Sequence, residues 1–289
     1  MRCNSCPRLC DVDRSMTRGF CGAGEHLRIA RAALHFYEEP CICGTHGSGA
    51  IFFSGCNLRC IFCQNLSLQS GSAGHDVSAC ELSEIMLRLQ SEGAHNINLV
   101  TPTPHTLALR DALRLAKSSG LVIPVVYNTS AYERVETIGA FRGLVDIWLP
   151  DLKYHESMLS AKFSAASDYF EYAIKAIDKM YELSGRLTMN DDCIASSGVL
   201  IRHLVLPCCL YDTRAILDEI AAHFGRDCHI SLMRQYTPLP CLNTPPLNRR
   251  ITDREYNNAV NHALMLGMEK VYIQDKSSAS MEFTPEFEN

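Results

Sequence analysis

The sequence predicts an α/β protein, specifically an open partial (β/α)6 barrel of the TIM type that carries a cysteine-rich N-terminal extension. From residue 48 onward, short apolar runs alternate with amphipathic segments, which is the pattern of βα units around a parallel sheet. The six or seven such units fall short of the eight that close a barrel. Residues 1–47 show little periodicity and contain six cysteines. We therefore expect an extension at 1–47 and a partial barrel at 48–289.

The predicted strands are short apolar runs rich in aliphatic and aromatic residues, the types favoured in sheets. There are seven of them: Ala50–Phe53, Ile97–Val100, Val122–Tyr127, Val145–Leu149, Val199–Leu206, His229–Met233 and Val271–Ile273.

The predicted helices lie between these runs and repeat apolar residues every three or four positions. They are Glu81–Glu92, His105–Ser118, Asp168–Leu183, Thr213–Phe224 and Thr252–Leu266. The last begins with Thr252-Asp253-Arg254-Glu255, which is the pattern of a capping box.

Composition excludes several function classes. The formal net charge of −5 gives no sign of the basic face that nucleic acid binding requires. No apolar run of about 18 residues or signal-peptide core is present, so we expect a cytoplasmic protein without a membrane partner. Disulfides rarely persist in the cytoplasm, and the 15 cysteines therefore indicate metal binding or reactivity in an oxygen-sensitive, anaerobic setting.

The loop after the first predicted strand carries three cysteines, Cys56, Cys60 and Cys63, at C-x3-C-x2-C spacing. Thiolates are soft ligands that select iron-sulfur clusters, zinc or copper. A 4Fe-4S cluster on three protein ligands leaves one iron free to bind a cofactor. A structural zinc site takes four ligands, and no fourth Cys or His stands at knuckle spacing after Cys63.

The extension offers a second candidate metal site. Cys3, Cys6, Cys10 and Cys21 lie within about twenty residues in short loops, an arrangement that suits zinc or a second iron-sulfur cluster. The alternative is a set of free thiols in a surface arm.

The cysteine loop, with Phe62 before its last cysteine, resembles the signature of the radical S-adenosylmethionine (radical SAM) enzymes. The Asp-Leu-Lys segment that starts at Asp151 resembles the pyruvate formate-lyase activating enzymes within that superfamily. The resemblance implies the same partial barrel, S-adenosylmethionine on the open iron, and reductive cleavage to a 5′-deoxyadenosyl radical. It also implies a glycyl-radical enzyme as target and a one-electron donor such as flavodoxin or ferredoxin.

Candidate cofactor-binding residues follow the strands, because barrel enzymes place their chemistry at the carboxyl ends of strands. The hydroxyls or carbonyls of Thr101 and Thr103 would accept a hydrogen bond from the methionine amino group. Asn128 suits a ribose or carboxylate, although helix capping is an alternative. The resemblance implies that Lys153 neutralises the methionine carboxylate with help from Asp151.

The fifth predicted strand contains Arg202 and His203, which must point to opposite faces. The resemblance places a histidine of this region near the cofactor, so we expect His203 to face the barrel interior. His105 stands beside a helix start, where a capping or solvated role is the expectation.

Two other functions remain open at this point. A radical SAM enzyme with these residues could modify a small molecule or a peptide in place of a glycyl-radical enzyme. From a different class, a zinc-binding interaction module would use all the clustered cysteines as structural ligands.

Overall fold

A computed structural model describes residues 2–279 and Phe287. In this part of the chain, ten strands form one sheet in the order β10-β9-β8-β6-β5-β4-β2-β1-β3, and β7 pairs with β8. The strands are β1 (Leu27–His35), β2 (Ser48–Phe53), β3 (His75–Val77), β4 (Ile97–Val100), β5 (Val125–Thr129), β6 (Ile147–Pro150), β7 (Thr188–Met189), β8 (Ala195–Leu204), β9 (His229–Met233) and β10 (Val271–Ile273).

The topology confirms the predicted partial barrel. Strands β2, β4, β5, β6, β8, β9 and β10 run parallel to their neighbours, while β1 pairs antiparallel with β2 and β3 at one edge. Parallel neighbours direct their carboxyl ends to the same edge of the sheet, and the loops that follow these strands therefore meet at one mouth.

Helices connect the parallel strands. They are α1 (Pro40–Cys43), α2 (Ala79–Ser91), α3 (Thr106–Ser118), α4 (Val135–Gly139), α5 (Ser157–Ser164), α6 (Tyr169–Ser184), α7 (Leu210–His223) and α8 (Asp253–Met265). The predicted capping box is present at α8, where Thr252 and Glu255 bond reciprocally, and α2 begins with another at Ser78 and Glu81.

The core lies between the sheet and these helices. The short central strands β2, β4, β5 and β6 are buried at every position, as expected for parallel strands covered on both faces. In the described part of the chain, none of the helices has the length and apolarity needed to cross a bilayer.

Two segments of the expected extension belong to the barrel itself. Strand β1 lies within residues 1–47 and pairs along β2, so this region is more ordered than its sequence indicated. The turn at α1 is held by Asn96 and Asn98, whose amides donate to the Ile42 carbonyl at 2.7 Å and to Glu38 at 3.0 Å. These bonds attach Glu38 to β4 and α1 to the residue just before β4.

Candidate active site

A cavity of about 250 Å³ lies at the carboxyl ends of the parallel strands, and we call it the strand-end cavity. Every parallel strand from β2 to β9, or the loop after it, contributes to its wall. The polar residues that line it include Glu38, Cys56, Cys60, Cys63, Thr101, Asn128, Asp151, Lys153 and Arg202.

The cysteine loop begins with a glycine that no other residue could replace without strain. Gly55 has φ +94°, and a Cβ there would lie 2.7 Å from the carbonyl oxygen of Cys21. The Cys56 amide donates to the same carbonyl at 3.2 Å. This close approach ties the N-terminal cysteine segment to the loop.

The three thiols of the loop line one cavity, where Cys60 is buried and Cys56 and Cys63 are partly buried. Burial raises the pKa of all three, that of Cys63 to about 11, and the nearby Lys153 opposes the rise in each case. Cys60 Sγ accepts a hydrogen bond of 3.0 Å from Ser164 Oγ. A metal centre binds such thiols as thiolates, so its own charge replaces the proton that burial favours.

The donor set, three thiols on one loop that line one cavity, is of the kind that holds an iron-sulfur cluster. In residues 2–279 and Phe287, no group of three or more His, Cys, Asp or Glu side chains is arranged to hold one ion. A cluster distributes its thiolate ligands over several irons and therefore accepts a wider spacing. The three thiols that share this cavity meet that requirement, with Lys153 beside them as a cation.

Arg202 forms the centre of a charged network on the wall of the cavity. Its Nε donates to Asp151 Oδ1 at 2.8 Å, its Nη1 to Glu38 Oε2 at 3.0 Å and its Nη2 to Asn128 Oδ1 at 2.7 Å. The side chains of Arg202, Asp151 and Glu38 are all largely buried. The attraction between these charges offsets part of the cost of removing them from water.

Lys153 links this network to the thiols. Its Nζ donates to Asp151 Oδ2 at 2.7 Å. Burial acts to raise the pKa of Asp151, but Arg202 and Lys153 outweigh it and hold the pKa below its ordinary value. Burial likewise acts to lower the pKa of Lys153, and Asp151 and Cys60 outweigh it. Both groups are therefore charged at neutral pH.

The structure brings four of the predicted cofactor-binding residues to the strand-end cavity, namely Thr101, Asn128, Asp151 and Lys153. Thr101 has φ +58°, a left-handed conformation that is unusual for a β-branched residue. Backbone outliers of this kind concentrate at functional sites.

The prediction that His203 faces the barrel interior was wrong. Its Nδ1 lies 2.7 Å from the Leu152 carbonyl oxygen and its Nε2 lies 3.0 Å from Thr213 Oγ1 on helix α7. Arg202 takes the interior position because its guanidinium pairs with the carboxylates there. The two side chains do point to opposite faces of the strand, as the alternation of side chains predicts. The error lay in which of the two faces the barrel interior.

Thr103 and His105 also lie away from the cavity lining. Thr103 Oγ1 donates to the buried Glu133 at 2.5 Å, and burial raises the pKa of Glu133 to about 7. His105 precedes α3, where its Nε2 lies 2.8 Å from the Ser54 carbonyl oxygen. Burial lowers its pKa to about 4, so this histidine is a neutral buried group and not a solvated one.

The four cysteines of the N-terminal extension that form the second candidate metal site, which we call the leader cysteines, are mostly buried. Cys3, Cys6 and Cys21 are buried and Cys10 is partly exposed, with its Sγ accepting a 3.4 Å bond from the Phe20 amide. Burial raises the pKa of Cys6 to about 12. A metal at these cysteines stays a prediction.

Sequence reasoning assigned no role to three residues that shape the site: Glu38, Glu39 and Arg202. A signal existed for Arg202, because a charged residue inside an apolar strand needs buried counter-charges. Two adjacent glutamates before Pro40 supply them, since Glu38 lies 3.0 Å and Glu39 3.8 Å from Arg202 Nη1.

Comparison with known proteins gives one sequence relative and a set of structural likenesses. No family model matches the chain. An uncharacterised protein of Methanocaldococcus jannaschii is 29% identical over 284 residues, which cover 93% of this chain and 76% of that protein.

Two solved proteins share the fold. SuiB of Streptococcus suis bound to the precursor peptide SuiA is 13% identical with a TM-score of 0.52, over 76% of this chain and 46% of SuiB. SuiB bound to S-adenosylmethionine gives a TM-score of 0.52 at 14% identity, over 76% and 47% of the two chains. HydG, a maturase of the [FeFe]-hydrogenase, gives 0.51 at 16% identity, over 77% and 50%. This chain spans about half the length of these structures.

Proposed function

We propose that this protein is a radical SAM enzyme that holds a 4Fe-4S cluster on Cys56, Cys60 and Cys63. The observation that carries the proposal is a single cavity lined by three buried or partly buried thiols and by a buried network of two cations and two carboxylates. The cavity lies where barrel enzymes place their chemistry. The fold shared with SuiB, which binds S-adenosylmethionine, supports the same conclusion.

When bound, the reduced cluster and S-adenosylmethionine supply a 5′-deoxyadenosyl radical that takes a hydrogen atom from the substrate. The residues of this chain bind and orient. Lys153 lies beside the thiols and carries the charge that a methionine carboxylate requires. Asp151 holds the Lys153 ammonium at 2.7 Å and fixes its position.

The other polar groups of the cavity suit the rest of the cofactor. Asn128 and Glu38 present hydrogen-bonding groups that can bind ribose hydroxyls or the methionine amino group. Phe52, Leu58 and Phe62 line the same cavity and are buried, so they exclude water from a reactive species.

The target of the radical is a further part of the proposal. The resemblance to pyruvate formate-lyase activating enzymes favours a glycyl-radical enzyme, with flavodoxin or ferredoxin as electron donor in an anaerobic cytoplasm. A peptide or small-molecule substrate is the second candidate. A cavity of about 330 Å³ beside the strand-end cavity favours it, as does the precursor peptide that SuiB binds.

The leader cysteines Cys3, Cys6, Cys10 and Cys21 extend the proposal to zinc or a second cluster. The rival from another class, a zinc-binding interaction module, would use Cys56, Cys60 and Cys63 structurally as well. Such a module has no need for a buried network around Arg202 and Lys153, because charges buried without a ligand to bind are costly.

Iron and sulfide analysis after anaerobic reconstitution tests the proposal against this rival. We expect a reducible chromophore at about 400 nm from iron-sulfur charge transfer. Cys60→Ala should lose it, while Cys80→Ala, a control at an exposed cysteine of α2, should keep it. A reconstituted protein that binds zinc and forms no reducible cluster would refute the radical SAM assignment.

A further inference from the structure

A second cavity, of about 330 Å³, adjoins the strand-end cavity, and we call it the β9–β10 cavity. It is lined by residues of β9 and β10, by the loop after β10 and by the segment that enters α1. The two cavities share the following wall residues: Tyr37, Glu38, Arg202, Met233, Gln235 and Ser278. A ligand in the β9–β10 cavity would therefore lie directly beside the proposed radical site.

Two buried polar atoms in the wall of the β9–β10 cavity form no hydrogen bond within the described residues, although Glu39 is ion-paired with Arg202. Glu39 is 7% exposed, and its Oε2 forms no hydrogen bond within the described part of the chain. Ser231 is 1% exposed, and its Oγ also lacks a hydrogen bond among these residues. Arg202 Nη1 lies 3.8 Å from Glu39 Oε2, beyond hydrogen-bond distance.

Buried polar atoms without a hydrogen bond are uncommon in folded proteins, because buried polar groups are nearly always hydrogen-bonded. An unpaired group in a cavity wall indicates that a ligand or water completes it. Glu39 and Ser231 are neighbours, because the Ser231 hydroxyl lowers the pKa of the Glu39 carboxyl as a hydrogen-bond donor does, although neither side chain completes a hydrogen bond of normal geometry. One hydrogen-bond donor group could therefore satisfy both.

The charge of this wall favours a cationic ligand. Three carboxylates, Glu38, Glu39 and Asp275, line the cavity against one cation, Arg202. The guanidinium of Arg202 is already committed to Glu38 and to Asp151. Burial raises the pKa of Glu39, Arg202 opposes that rise, and the adjacent Glu38 adds to it.

We propose that the β9–β10 cavity is the substrate subsite and that Glu39 and Ser231 bind a primary ammonium group there. An ammonium carries three donors, enough to pair with the free carboxylate oxygen and the hydroxyl together. The volume suits an amine-bearing side chain or a small metabolite. The assignment of this cavity to the substrate rests on the proposed function, while the amine site itself rests on the geometry of Glu39 and Ser231.

Calorimetric titration of the anaerobically purified full chain tests this proposal. The probes are Nα-acetyl-L-lysine methylamide, its analogue Nα-acetyl-L-norleucine methylamide, which lacks the ammonium, and 1,5-diaminopentane. Each is titrated with and without S-adenosylmethionine. The relative affinities of the lysine probe and the diamine distinguish a polypeptide side chain from a free amine as the source of the ammonium.

We expect the wild-type protein to bind the better amine roughly tenfold to a hundredfold more tightly than the norleucine analogue, also when S-adenosylmethionine is bound. Glu39→Gln should abolish this preference, and Ser231→Ala should reduce it roughly threefold to tenfold. Glu269→Gln, a control at an exposed glutamate, should leave it unchanged.

Three results would overturn the inference: no preference for amines, a preference that S-adenosylmethionine removes by competition, or a preference that survives Glu39→Gln. If Glu39→Gln does not fold, an unchanged preference in Ser231→Ala overturns it instead. Failure of the proposed function is separate, because it would appear as absent S-adenosylmethionine cleavage with amine binding retained.

Discussion

Replacing Arg202 by Met is the sharpest structural perturbation of this site. The change removes the cation that contacts Asp151 at 2.8 Å and Glu38 at 3.0 Å, while methionine keeps much of the side-chain volume. Removing one partner of a buried ion pair typically costs about 3–5 kcal/mol, because the remaining charge stays buried without compensation. We therefore expect R202M to lose about that much free energy of unfolding at pH 8.

The pH dependence gives the prediction a second readout. The pKa of Asp151 is lowered in the folded wild-type protein, so this carboxylate stabilises the fold above its unfolded pKa of about 4 and loses that effect as pH falls. Without Arg202 the pKa of Asp151 rises, and protonation relieves the penalty. The difference between R202M and wild type should therefore be smaller at pH 5 than at pH 8.

Urea unfolding followed by far-ultraviolet circular dichroism, at both pH values and under anaerobic conditions, measures these differences. The matched control is Arg226→Met at an exposed position, which should stay within about 0.5 kcal/mol of wild type. If R202M were as stable as the control at pH 8, Arg202 would not be the group that neutralises these carboxylates.

Three further predictions concern the cofactor, the buried His203 and the leader cysteines. Lys153→Ala should weaken S-adenosylmethionine binding roughly tenfold to a hundredfold in equilibrium dialysis, because a charge-assisted contact is lost; loss of iron instead would indicate a structural role. Burial lowers the pKa of His203 to about 4, so wild type should lose about 3 kcal/mol from this residue as pH falls from 6.5 toward 4. His203→Gln should flatten that part of the stability curve, and parallel curves would contradict it. Zinc bound to the leader cysteines should disappear from metal analysis when Cys3 and Cys6 are both replaced by Ala. An unchanged zinc content would mean that the zinc is bound at another site.

Most of the barrel could be predicted because its strands are apolar on both faces and its helices are amphipathic. The boundaries moved where local chemistry decided them. The strand predicted from Val122 begins at Val125, after Pro124, which has no amide hydrogen to donate. The amides of Val122 and Ile123 bond instead to Gln90 Oε1.

Strand β1 was missed because its sequence, with Arg28 and Arg31 among apolar residues, lacks a clear period of two. Its burial is equally irregular, since it pairs on both sides at the edge of the sheet and shifts register between Ile29 and Arg31. A pairing of this kind depends on β2 and β3, which local sequence does not contain.

The site was predictable where a motif follows a strand, as at Cys56 and Lys153, and not where a distant segment enters the barrel. Glu38 lies 164 positions from Arg202 in the chain and still contacts it. The orientation of β8 posed the same difficulty, because both faces of a parallel strand are buried and hydropathy cannot distinguish them. The ion pairs of Arg202 with Asp151 and Glu38 favour the observed orientation.

Release of 5′-deoxyadenosine from S-adenosylmethionine by the anaerobically reconstituted and reduced protein tests the central claim most directly. The reconstituted wild-type chain should release it, and Cys56→Ala, Cys60→Ala and Cys63→Ala should each abolish release, since each removes a ligand of the cluster. Cys80→Ala should retain the wild-type rate. Release at the wild-type rate from any of the three loop variants would contradict the assignment of these cysteines.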